Sequence, residues 1–170
     1  MLDSCQQGVF SWILLDFVHQ RHIALMQLTS KTLHNVLHSV SATDATTLRD
    51  GPNGWTTLEV VCHLRDFDAI FRQRAQQIVA EDYPHLMPQD HEAMVVDRHY
   101  NDDTLADVLA TLDASRQETV AFFQSLTPAQ WERAALHPSQ GHFTLTHAVI
   151  QVGSHDVNHL EQITRILPQR

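Results

Sequence analysis

The chain has 170 residues, with 11 Lys and Arg against 20 Asp and Glu and a formal net charge of -9. A field of that sign repels phosphate backbones and anionic lipid, so neither nucleic acid nor a membrane surface is an expected partner. The length suits one domain, residues 1–170, able to bury its own core. Cys5 and Cys62 are too few for a disulfide framework or a thiolate zinc site, so free thiols in a reducing cytoplasm are the simplest expectation. The compositional anomaly is thirteen histidines, because imidazole is the commonest protein ligand of transition metals.

The apolar stretch from Val9 to Val18 carries Asp16 and follows Asp3 rather than a basic segment, so it reads as the start of a helix and not as a secretion signal. No apolar run approaches the ~20 residues that a membrane span needs. Gly and Pro are scarce and fall between long segments of helical spacing, with no alternating run of strand length. From about Val9 to Val40, Ile23, Met26, Leu33, Val36, Leu37 and Val40 describe one long or twice-broken helix. Arg49-Asp-Gly-Pro-Asn-Gly54 is a turn. Thr56 and Glu59 form a capping box, flanked by Trp55 and Val60 at staple positions, and open a second helix that runs to about Glu81.

Residues 84–101 hold Pro84, Pro88, His85, His91 and His99, which predicts a functional loop or a partly helical cover. A third helix follows from Asp103, with Leu105, Val108, Leu109, Leu112, Thr119, Phe122, Phe123 and Leu126 on its buried stripe. Thr127-Pro-Ala-Gln130 is a second capping box with proline at the first helical position, and Leu126 with Trp131 would staple it. After the turn His137-Pro-Ser-Gln-Gly141, the last helix spans roughly Thr144 to Leu167 and is stopped by Pro168. The fold class expected is all-α: a four-helix bundle with a short extra helix between the third and last long helices.

The chemistry concentrates on two of these helices. The last one carries an inward stripe through Leu145, Val149, Val152, Asp156, His159, Ile163 and Ile166, so His155 and His159 point at or beside the core. Residues four apart on a helix have Cβ atoms about 5–6 Å apart, close enough for two imidazoles to meet one ion. On the second helix His63 lies within the stripe Val60, His63, Leu64, Phe67, Ile70 and Phe71. Three buried rings without partners would cost a few kcal/mol, and a shared divalent cation satisfies them together. The alternative is that each ring bonds a neighbouring carboxylate or carbonyl. Three imidazoles leave a coordination position open, as catalytic sites do. His155-Asp156-Val-Asn-His159 is also similar to the zincin signature with Asp in place of Glu, but no third ligand follows downstream. Asp156 is a candidate base or partner to a ligand.

Trp55-Thr-Thr-Leu-Glu-Val-Val-Cys-His63-Leu-Arg-Asp66, Thr144-Leu-Thr, and His155-Asp-Val-Asn-His159-Leu-Glu-Gln162-Ile resemble the DinB/YfiT-like superfamily of proposed metalloenzymes. The resemblance runs from about His22 onward and includes Leu-Thr-Pro-Ala-Gln-Trp131, leaving residues 1–21 as an N-terminal extension that it does not place. It implies a four-helix bundle with a metal triad on His63, His155 and His159, zinc or nickel as the ion, and a homodimer. It further implies chemistry with a low-molecular-weight thiol as co-substrate, as in bacillithiol or mycothiol transferases and a mycothiol-dependent isomerase.

Other residues carry weaker expectations. His34 and His38 lie one position off the first helix's stripe and read as a flanking, solvated pair, while His142 and His147 read as loop and surface residues near the pocket mouth. Cys62 points away from its neighbour His63, so a catalytic thiol is not expected there. The capping box accounts for Glu59. Asp66, one turn after His63, would orient the ring, accept a proton, or pair near Arg65. Arg116 interrupts the third helix's stripe, either snorkelling outward or meeting an anionic substrate. The expected function is a metal-dependent enzyme acting on a small molecule. Activated water makes it a hydrolase, and an activated thiol makes it a transferase. The alternative is a metal-binding stress-response or sensor protein without turnover, which a side chain plugging the open position would favour.

Overall fold

A computed structural model describes residues 4–167 of the chain, with side chains over residues 14–167. The elements in order are α1 (Ser4–Leu37), α2 (Ala42–Thr47), α3 (Thr57–Ala80), α4 (His91–Asp97), a single 3-10 turn (Tyr100–Asp102), α5 (Leu105–Gln124), α6 (Pro128–Trp131), β1 (Ala134–His137), β2 (Gly141–Thr144) and α7 (Leu145–Ile166). The long helices form the expected bundle. Each of α1 and α3 packs against both α5 and α7, so α1 faces α3 across the bundle instead of lying beside it. The connections over residues 38–56 and 125–144 are long enough to make those diagonal crossings. No described helix is long and apolar enough to cross a membrane.

Local chemistry sets the boundaries. At the start of α3 the Thr56 hydroxyl accepts from the Glu59 amide at 3.1 Å and the Glu59 carboxylate accepts from the Thr56 amide at 2.6 Å, satisfying two donors that a helix start leaves orphaned. Thr127 and Gln130 do the same for α6. A third capping box opens α7, where His147 Nδ1 accepts from the Thr144 amide at 3.0 Å; histidine takes the place of the usual Glu or Gln. The first helix extends further back than the resemblance places it. His19 is buried, stacked on Trp131 at 3.7 Å and bonded to Thr146 at 2.8 Å. The expectation of a free thiol at Cys5 lies outside the described side chains.

Two elements depart from the sequence reading. α2, capped by the Ser41 hydroxyl at the Asp44 amide, is a single turn and a half too short to show a period. The expectation of no strands is corrected by the antiparallel hairpin β1–β2, which pairs Ala134 with Thr144 and His137 with Gly141. Its strands are four residues long, below the length at which alternation is visible. The predicted turn sits between them, with Gly141 at φ +71°, a left-handed conformation open to glycine. Leu86 and Pro84 bond the two sides of Leu136 at 3.0 and 2.9 Å, so the segment after α3 runs along the hairpin. The partly helical cover expected over residues 84–101 is α4 and the 3-10 turn.

The core is apolar around one charged cluster. Arg116 of α5, 5% exposed, donates through Nη1 and Nη2 to Asp156 of α7 and through Nε pairs with Asp68 of α3 at 2.8 Å. Thr29 of α1 donates to Asp156 at 2.6 Å, and Ser115 and Thr119 donate to Asp68 at 2.5 and 2.8 Å. All four long helices therefore meet in one buried polar network. A buried guanidinium matched by a carboxylate on both sides neither snorkels nor reaches for substrate, so the two outward roles expected of Arg116 are corrected. Replacing it by Met leaves two buried carboxylates without their cation, and a loss of about 3–5 kcal/mol in urea-unfolding stability is expected. A loss below about 1 kcal/mol would show that water already solvates the cluster.

Candidate metal centre

The capping box at Thr56 fixes the register of α3 so that His63, two turns in, faces α7. The i, i+4 spacing on α7 then brings His155 and His159 to the same place. One imidazole nitrogen from each of the three lies within 4.8 Å of the others. His63 Nε2 and His155 Nε2 are 2.9 Å apart, and the ring centroids of the three pairs lie 4.5–4.9 Å apart. Side chains on α3 and α7 converge here because the two helices pack directly against each other.

The environment holds the rings in the neutral form that ligates. Burial, then the neighbouring imidazoles, lower the pKa of His63 to about 3 and of His155 to about 2. Burial also lowers that of His159, against the opposing hydrogen bond it donates to Gln162. His159 Nδ1 lies 2.7 Å from Gln162 Oε1, and Gln162 Nε2 donates to Asp50 Oδ2 at 3.1 Å. A carboxylate only accepts, so the amide must turn its NH2 toward Asp50 and its oxygen toward His159. His159 therefore carries its proton on Nδ1 and offers the Nε2 lone pair. His63 turns Nε2 to His155, two nitrogens that cannot both be protonated at that distance and that a shared cation would satisfy together, while its Nδ1 is buried without a partner. This donor set fits a divalent first-row cation.

The triad lies in the wall of a cleft of about 740 Å³, shared with Trp55, Phe67, Phe71, Arg74, His91 and His137 among others. All three histidines line this space, and among the described residues none seals the triad from it, the arrangement expected where a substrate must approach. Trp55 stands 4.9 Å from the His63 ring and 6.4 Å from His159, and its indole donates to Glu92 at 3.1 Å. The staple reading of Trp55 did not foresee this place beside the triad. His91, 6.1 Å from His63, and His137 also escaped the sequence reading. Both come from the cover segment and the hairpin, whose placement depends on long-range packing.

The other candidates sit elsewhere. Asp156 belongs to the buried network with Arg116 and Thr29, and neither it nor Arg116 is among the residues lining the cleft. Asp66 accepts from Arg65 at 2.8 Å, Arg98 at 2.6 Å and Tyr100 at 2.6 Å. Burial pushes its pKa up, but the bonds from Arg65 and Tyr100 outweigh this and hold it low. No hydrogen bond joins it to His63, so the expected ring-orienting role is not seen. Glu59 is used by Thr56 and by Asn101 at 2.7 Å. Cys62 is buried, and burial raises its thiol pKa to about 12, which disfavours the thiolate as expected. His34 bonds Asp113 and His38 bonds Asn35 on the surface. His142 meets Tyr83 at 3.2 Å, and His147 caps α7.

A bundle of four helices with diagonal crossings, carrying three inward imidazoles at the mouth of a cleft, defines the class of protein. A sequence model of the DinB superfamily matches residues 22–163, and the chain belongs to that superfamily. YfiT from Bacillus subtilis, described as "a probable metal-dependent hydrolase with an unusual four-helix bundle topology", superposes with a TM-score of 0.81 at 21% identity, over 98% of this chain and 88% of that one. OB0782 of Oceanobacillus iheyensis, which carries the provisional name of a metal-dependent hydrolase, is 25% identical over 125 residues, 74% of this chain and 71% of its own. A mycothiol-dependent maleylpyruvate isomerase superposes with a TM-score of 0.70 at 11% identity, over 85% of this chain and 60% of that one.

The lowered histidine pKa values give the metal-free protein a pH dependence. An unfolded imidazole takes up its proton near pH 6.5, whereas the folded ones resist it down to about 3 and 2. The unfolded state binds more protons between these values, so stability is full above pH 6.5 and is lost as pH falls below it. The melting temperature of chelator-treated protein is expected to drop between pH 7 and 5, above the range where carboxylates titrate. His155→Phe should flatten that slope, and a slope unchanged by the substitution would assign the effect to other groups.

Proposed function

We propose that this protein is a metal-dependent enzyme that binds one divalent cation, zinc or nickel, on His63, His155 and His159 and hydrolyses a small molecule seated in the cleft. The observation that carries this reading is three imidazole nitrogens within 4.8 Å of one another at the wall of a cleft of about 740 Å³. That size falls in the range of about 300–1,000 Å³ typical of small-molecule sites. A bound cation would supply Lewis acidity and lower the pKa of a water to about 7.

The chain's own residues do the rest. His159 presents Nε2 because Gln162 holds its Nδ1 proton, and Gln162 is in turn held by Asp50, which Arg165 grips with Nε at 3.1 Å and Nη2 at 2.7 Å. Phe67, Phe71 and Trp55 supply apolar wall beside the rings, thinning the water around a developing charge. His91, 6.1 Å from the His63 ring, is exposed on the cleft wall, placed to contact a bound molecule. The fold likeness to a mycothiol-dependent isomerase supports a second reading, transfer to or from a low-molecular-weight thiol at the same centre. The open cleft favours turnover over a storage or sensing role. The same reading takes the protein as cytoplasmic and homodimeric, supported by the family resemblance and by the free Cys62.

Purified protein is expected to hold about one equivalent of first-row metal per triad, and His159→Ala less than half of that, with a lower melting temperature that no longer responds to chelator. Gln162→Leu should weaken metal affinity by about 10–100-fold while leaving the circular dichroism spectrum intact. A panel of esters and amides, run with and without thiol cofactors and an electrophile, separates the two chemistries. Thiol consumption without cleavage would replace hydrolysis by transfer, and a protein that binds no metal would end both readings.

A further inference from the structure

The end of the cleft remote from the triad holds a cation with no counter-charge. Arg74 lines the cleft and is half-buried, and its recorded bond is from Nη2 to the Met87 carbonyl. No carboxylate pairs with it among the described residues, and uncompensated burial lowers its pKa. Arg65 is matched by Asp66 and Asp103, Arg72 by Asp68 and Glu118, and Arg116 by Asp156 and Asp68, while half-buried Arg133, which does not line the cleft, divides its donors between the Ile78 and Glu81 carbonyls. In a chain of net charge -9 with acids to spare, a guanidinium left unpaired in a cleft is a desolvation cost that a ligand can offset.

A second observation falls at the same place. His137, at the end of β1, is 7% exposed and lines the cleft. Its Nδ1 accepts from the Ser139 backbone amide at 3.3 Å, which only donates, so the proton of the neutral ring sits on Nε2. Nε2 has no partner and is closed to solvent in this ring orientation, so it meets a ligand once the ring turns its edge into the cleft. Burial and the nearby Arg74 charge lower the His137 pKa, keeping the ring a neutral donor. Arg74 on α3 thus lacks a counter-charge and His137 on the hairpin lacks an acceptor for Nε2, within electrostatic reach of each other in one cleft.

We propose that Arg74 and His137 form an anion subsite that receives a carboxylate of the substrate, with the reacting group of the same molecule at the triad. One guanidinium charge balances a monoanion, and its planar fork matches a carboxylate. Arg74 lies eleven residues beyond His63 on α3, so their Cα atoms are about 16 Å apart along the helix, and Phe67 and Phe71 lie between them on the cleft wall. The substrate class is therefore an elongated carboxylic acid with an apolar body on the two phenyl rings. The role of meeting an anionic substrate, expected of Arg116, falls to Arg74. The placement of the reacting group rests on the proposed function; the subsite itself does not.

The test is calorimetric binding of 4-phenylbutyrate and its neutral amide to the full chain, as purified and after chelation. The carboxylate is expected to bind at least about tenfold tighter than the amide in both preparations, the worth of one charge-assisted pair. Arg74→Gln, which can still donate to Met87, should bring the two ligands within about twofold, Arg74→Lys should keep most of the difference, and His137→Phe should reduce it. Equal binding to wild type, or a preference that survives Arg74→Gln, overturns the subsite. A preference seen only before chelation also overturns it, since the carboxylate then sits on the metal, while the metal reading stands. A preference kept in a protein that never held metal supports the subsite and ends the metal reading alone.

Discussion

One guanidinium in the middle of the bundle sets the geometry of everything around it. Arg116 reaches Asp156 on α7 and Asp68 on α3 from its own helix α5, and Thr29 of α1 joins through Asp156. A charge buried this deeply must be matched on every side, because leaving one partner unpaired costs several kcal/mol. An apolar bundle tolerates small slides of helix on helix, whereas this network permits one register between four of them. Asp156 directly precedes the turn that carries His159 and follows His155, so the register that pairs it with Arg116 is also the one that turns both imidazoles toward α3.

The triad is then a consequence of two faces of α7 doing different things. One face anchors Asp156 in the core, and the adjoining face presents His155 and His159 to His63 across the contact with α3. The rings are kept neutral by burial, and His159 is fixed in tautomer by the chain Gln162–Asp50–Arg165. Asp50 sits in the turn that leads to Trp55 and to the cap of α3. The loop that starts one ligand-bearing helix thus steadies a ligand on the other.

The cleft owes its remaining walls to the parts of the chain that are not long helices. The segment after α3 is laced to β1 through Leu136, and the hairpin brings His137 into the cleft that Arg74 lines. Residues of the cover, Tyr100 and Arg98, lock onto Asp66, and Asn101 onto Glu59, holding the entrance of α3 from outside. Polar contacts made by short, irregular elements therefore decide how wide the site opens and which charges it offers.

The sequence by itself determined the four long helices, the capping boxes at Thr56 and Thr127 and the inward placement of His63, His155 and His159. Those features depend on neighbours three or four residues away, where helical periodicity and orphaned backbone donors act. It did not determine α2 or the hairpin, which are shorter than any period they could display. It left Asp66, Asp156 and Arg116 with alternatives, because the partner of a buried charge is chosen by which helix packs opposite. Only the tertiary structure assigned Arg116 to the core and Arg74 to the cleft. On the sequence both are arginines near apolar stripes, and what separates them is that two aspartates from other helices reach the first and none reaches the second.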